Sequence, residues 1–156
     1  MRRDVLKESA IIKRAYLVIL FGMGLTGFAQ MPIFKRYYIA DIPGLGWLAD
    51  FYVTHFLHYL GAALFLALPF YCVTAYVLAG RRQFSLSWSA YVRIALLLAI
   101  GVTGVFRVLK NLPDVLFSPA FTMFIDISHL VFMMMLMLAA LFFHVIKSGW
   151  VASDIR

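Results

Sequence analysis

Four long apolar runs divide the chain, and short polar segments separate them. The runs cover about Ile11 to Met31, Phe51 to Ala79, Ser89 to Lys110 and Phe121 to Lys147. Pro32, Gly80 and the Asn111 to Pro113 segment punctuate the ends of the first three. Each run reaches the roughly 20 residues that a helix needs to cross the hydrocarbon core of a bilayer. None shows the strict apolar–polar alternation over about 10 residues that marks a membrane β-strand. The pattern predicts an all-α integral membrane protein: one four-helix transmembrane domain spanning residues 1–156, with helices at about 11–31, 51–79, 89–110 and 121–147.

Composition agrees with that pattern. Of the 156 residues, 64% are hydrophobic and 13% charged, against about 45–50% and about 25% in soluble domains. The start, Met1-Arg2-Arg3 and then an apolar run with Gly27-Phe28-Ala29, has the outline of a cleaved signal. It is read instead as a retained first helix. Cys72 is the single cysteine, so this chain alone forms neither a disulfide nor an iron–sulfur cluster.

The net charge of +7 bears on orientation. The N-terminal segment carries Arg2, Arg3, Lys7, Lys13 and Arg14. The second connection has Arg81 and Arg82, with Arg93 just inside the third helix, and the C-terminal segment has Lys147 and Arg156. The opposite side has Lys35 and Arg36 in the first connection, and Arg107 and Lys110 next to the third. Ten against four places both termini in the cytoplasm (N-in/C-in) by the positive-inside rule. The scatter of basic residues between apolar runs gives no footing for nucleic-acid binding. The outward segment from Pro32 to Asp50 holds the turn-rich Ile42-Pro43-Gly44-Leu45-Gly46-Trp47. It is too short for a domain, and no internal repeat or low-complexity tract is visible. With so little mass outside the bilayer, the chain is expected to work with partners that carry soluble chemistry.

Chemistry concentrates in four histidines, His55, His58, His129 and His144. Ionisable groups inside a membrane are rare and mark function. His55 and His58 lie early in the second helix and His129 early in the fourth, all toward the outer side. His144 lies roughly 22 Å further along the fourth helix and about 60° around from His129, near the cytoplasmic side. Two parallel helices offering histidine at matched depth suit a haem iron with two axial ligands, and His58 with His129 is the better-matched pair. His55 is an alternative ligand or a partner for a propionate. Gly61, Gly22, Gly24, Gly27, Gly101 and Gly104 allow close approach of helices or of a flat macrocycle. Arg107 and Lys110 either pair with haem propionates or snorkel to the interface. Asp126, one turn before His129, either orients an imidazole, relays protons or is simply interfacial.

These residues resemble a known family, the four-helix b-type cytochrome subunits of membrane-bound formate dehydrogenase and nickel–iron hydrogenase complexes. The likeness rests on Gly24-Leu25-Thr26-Gly27, on His58 with Gly61, on Val102-Thr103-Gly104-Val105, and on His129 and His144, in that order and spacing. It implies an outer haem b held by His58 and His129, and an inner one held by His144 and a histidine early in the first helix. The chain departs from the family there: the matching region reads Lys13-Arg14-Ala15-Tyr16-Leu17. One haem is therefore expected and two are possible, with His144 a ligand of a second haem, a quinone contact or a packing residue. His144, Tyr16, Tyr91, Lys13 and Arg14 form the candidate quinone cluster.

The resemblance implies electron transfer in a prokaryotic inner membrane. Electrons would pass between a periplasmic or membrane-associated iron–sulfur oxidoreductase partner and the quinone pool. Two other readings stay open. A stand-alone haem enzyme would exchange electrons between quinone and a small oxidant such as superoxide, with Lys35, Arg36, Arg107 and Lys110 steering the anion. A haem-free anchor or transporter would use the histidines as proton relays.

Overall fold

The computed structural model describes residues 2–31, 33–80 and 85–152, with side chains placed at 10–31, 33–78 and 85–152. Of the basic residues used to orient the chain, the side chains of Arg2, Arg3, Lys7, Arg81, Arg82 and Arg156 lie outside that set. The described elements are helical throughout: α1 (Arg2–Ala29), α2 (Ile33–Arg36), α3 (Phe51–Ala75), α4 (Trp88–Leu109) and α5 (Pro119–Val145). Among the described residues, four helical stretches are long and apolar enough to cross a membrane: Ala10–Ala29, Phe51–Leu78, Trp88–Leu109 and Pro119–Val145. The chain is thus a multi-pass helical membrane protein, as the apolar runs predict.

Helix ends fall where local chemistry sets them. Asp50 caps α3, its Oδ1 accepting from the backbone N–H of Tyr52 at 2.9 Å and of Val53 at 3.1 Å. Ser87 caps α4 by accepting from Ala90 N–H. Ser118 caps α5 by accepting from Phe121 N–H, and Pro119 follows at the first helical position, where its missing N–H costs nothing. Pro69 lies inside α3 and leaves one intrahelical bond unmade. The helix continues past it and widens into a π turn, Tyr76–Gly80.

The chain divides into two compact units, Met1–Leu78 and Ala79–Arg156. In the first, α1 packs on α3. Thr26 meets His58 and Met23 meets Gly61, so residue numbers rise on one helix as they fall on the other and the pair is antiparallel. The link between them is built of α2 and two 3-10 turns, Ile39–Asp41 and Gly46–Ala49. Between these turns Leu45 N–H donates to Ile42 O, with Gly44 at φ 88°. That is a type II turn on Pro43-Gly44, the form the dipeptide favours.

In the second unit α4 packs on α5, also antiparallel: Thr103 meets His129 at one end and Ser89 meets Gly149 at the other. Its interior contains Ala90, Leu96, Ile100, Ile125, Leu136 and Phe143. Helix α5 ends in a Schellman motif, with Lys147 N–H on His144 O and Ser148 N–H on Phe143 O. Lys147 takes the left-handed position at φ 54°. The chain then turns back along the start of α4, where Leu86 and Val151 form an isolated antiparallel bridge. Most of the remaining helix surface in both units is exposed and apolar, as lipid-facing helices require.

Candidate functional site

Each unit holds within itself a half-buried histidine set in the same way. In the first unit His58, two turns into α3, points to α1. Its Nδ1 lies 3.0 Å from Thr26 Oγ1. The next residue on α1 is Gly27, where an added Cβ would stand 3.3 Å from His58 Cε1. In the second unit His129, nearly three turns into α5, points to α4. Its Nδ1 lies 2.9 Å from Thr103 Oγ1, and a Cβ on Gly104 would stand 3.4 Å from His129 Cε1. A Thr-Gly pair on one helix thus receives an imidazole from the next: the threonine binds the ring nitrogen and the glycine makes room for the ring.

The threonines are anchored themselves. Thr26 Oγ1 is 2.7 Å from Gly22 O and 3.4 Å from Met23 O. Thr103 Oγ1 is 2.8 Å from Ala99 O and 3.1 Å from Ile100 O. Both are bonds back along the same helix, a normal setting for threonine in a membrane helix, and they fix the hydroxyls that face the imidazoles.

The other two histidines are placed differently. His55 sits in an aromatic ladder on α3, its ring centroid 5.0 Å from Phe51 and 4.3 Å from Tyr59. His144 is exposed in the last turn of α5, beside the buried Phe143 that packs under Arg93. Of the quinone candidates, Lys13, Arg14 and Tyr91 are exposed and Tyr16 half-buried. Tyr16, Lys13 and Arg14 belong to the first unit, Tyr91 and His144 to the second.

Asp126 does not bind His129; Thr103 does. Asp126 instead gathers the two cations at the end of α4. Lys110 Nζ lies 2.8 and 2.7 Å from its two carboxylate oxygens, and Arg107 Nε lies 3.0 Å from Oδ1. The triad carries one net positive charge about one turn from His129, close enough for a charge-assisted contact with an anionic group. Gly61 serves helix packing, since a Cβ there would meet Met23 Sδ at 2.6 Å.

At the opposite end of the second unit, Ser89 and Ser87 both donate to Gly149 O, at 2.7 and 2.6 Å, and Ser148 donates to Ser89. Arg93 donates to Ser148 O and lies 4.8 Å from the Phe143 and 5.1 Å from the Trp150 ring centroids. This polar cluster ties the segment after α5 to the start of α4.

Thr26 and Thr103 are the residues to which sequence reasoning gives no task. Their signal was the Thr-Gly dipeptide, present once in α1 and once in α4. No family model, no curated protein and no solved structure matches the chain.

Proposed function

We propose that the protein is a membrane-anchoring b-type cytochrome subunit. In this reading it passes electrons between an outward-facing oxidoreductase partner and the quinone pool, and His58 and His129 would be the residues that hold one haem b. The observation that carries the reading is the duplicated setting of these two histidines. A metal-bound histidine needs its non-ligating nitrogen held by a hydrogen bond, which fixes ring orientation and tautomer. His58 and His129 have that bond, each with a glycine beside the ring; His55 and His144 have other surroundings. The residues therefore fit the group that the family resemblance implies.

Haem, when bound, supplies a one-electron store that connects a chain of redox centres to two-electron quinone chemistry. The chain's own residues do the rest. Thr26 and Thr103 hold the ligand rings, and Gly27 and Gly104 keep the space beside them open. The Arg107–Asp126–Lys110 triad offers positive charge for propionates. The apolar helices keep water from the ligand rings. His144, with Tyr16, Tyr91, Lys13 and Arg14, is the proposed quinone contact on the cytoplasmic side of a prokaryotic inner membrane, both termini facing the cytoplasm.

The test is quinol-driven reduction of haem in native membranes, followed in the α and Soret bands. Wild type is expected to be reduced on adding a quinol. The His144→Ala variant should keep its haem while losing reduction by the quinol. A chain with no haem signal contradicts the cytochrome reading. A His144→Ala variant reduced at the wild-type rate contradicts the quinone assignment.

A further inference from the structure

The direction of the bonds between threonine and histidine follows from atoms already placed. A threonine hydroxyl has one proton to give and two lone pairs that accept. A carbonyl oxygen only accepts, so the short contacts from Thr26 to Gly22 O and from Thr103 to Ala99 O use the hydroxyl protons. The contacts at 3.0 and 2.9 Å to His58 and His129 are left with one possible donor, the imidazole Nδ1–H. A neutral imidazole with its proton on Nδ1 carries its lone pair on Nε2.

We propose that Thr26 and Thr103 are positioning residues that lock His58 and His129 in the Nδ1-protonated tautomer and so aim an Nε2 lone pair at a metal centre. The inference rests on the haem reading for the identity of that centre, but the tautomer stands on the hydroxyl geometry alone. The device occurs once in each helical pair, although α1–α3 and α4–α5 have no visible sequence repeat. Its parts are a backbone carbonyl one turn back, a threonine hydroxyl, the imidazole, and a glycine after the threonine. The acceptor is neutral, so it withdraws less of the Nδ1 proton than a carboxylate would and leaves the ligand a neutral imidazole rather than one tending to imidazolate. A metal held by such a ring would favour its reduced state more than one held by a carboxylate-bound ring.

The experiment compares wild type with Thr26→Val and Thr103→Val, which remove the hydroxyl at constant shape, and with Thr26→Ser and Thr103→Ser, which restore it. The first readout needs no haem. Nitrogen-15 spectra of histidine-labelled, haem-free protein in lipid should show His58 and His129 protonated at Nδ1 in wild type and the serine variants. Each valine variant should show a shift toward the other tautomer at the matching histidine. The second readout is haem transfer to an apoglobin scavenger. Release is expected about 10–100-fold more readily from the valine variants, the usual consequence of losing such a bond, with retention recovered by serine. The midpoint potential should rise in the valine variants, because the ligand donates less charge without its hydrogen bond. Nε2-protonated histidines in wild type, or valine variants that match wild type in tautomer and retention, would overturn the proposal. If no haem binds while the nitrogen spectra behave as expected, the haem reading fails and the tautomer lock stands.

Discussion

At the scale of single residues, two glycines and one lysine give direct tests. Valine at Gly27 or Gly104 would push branched methyls into the imidazole faces of His58 and His129, already 3.3 and 3.4 Å from a bare Cβ. Haem absorbance per chain should fall in both variants. Lys147 holds the left-handed position that closes α5, where a Cβ costs about 1 kcal/mol. Lys147→Gly should therefore raise thermal stability in detergent by up to about 1 kcal/mol. The histidines were legible in the sequence because imidazoles stand out in apolar runs. The threonines were not. A helical threonine bonding its own backbone looks ordinary, and the second bond that gives it a task reaches a residue 32 or 26 positions away. Asp126 shows the opposite case: one turn from His129 it invites an imidazole partner, yet the two cations of the α4 end compete for it and hold it.

At the scale of elements, the runs of apolar residues alone place α3, α4 and α5 to within a few residues. Hydrocarbon thickness sets length, and Asp50, Ser87 and Ser118 set the starts. The link between α4 and the segment after α5 was not legible. Serines at 87, 89 and 148 look like unrelated loop and helix residues until the chain turns back at Lys147. Ser89 is fully buried, and its hydroxyl both donates to Gly149 O and accepts from Ser148. Ser89→Ala should cost about 0.5–1.5 kcal/mol, since Gly149 O keeps only its bond from Ser87 and the Ser148 hydroxyl loses its acceptor. Hydrogen exchange at Trp150 to Ala152 should then speed up, while exchange in the middle of α5 stays slow. Asp126→Asn, at a partly exposed ion pair, should cost under about 1 kcal/mol. Its larger expected effect is on haem retention, since Arg107 and Lys110 lose the carboxylate that orients them.

At the scale of the whole molecule, both helical pairs carry the same small arrangement in the same order: Thr-Gly on the first helix, histidine on the second. Periodicity and composition establish a helical multi-pass membrane chain. They do not establish a redox role, which rests on what surrounds two of the four histidines. His58 and His129 are equivalent in setting and distinct from His55 and His144. The most direct measurement is haem per polypeptide, with the oxidised and reduced absorption spectra, in wild type and in single alanine variants of all four histidines. The proposed His58–His129 pairing predicts one low-spin haem b per chain in wild type, in His55→Ala and in His144→Ala, and its loss in both His58→Ala and His129→Ala. Full haem content with an unchanged spectrum in either of the last two would contradict it.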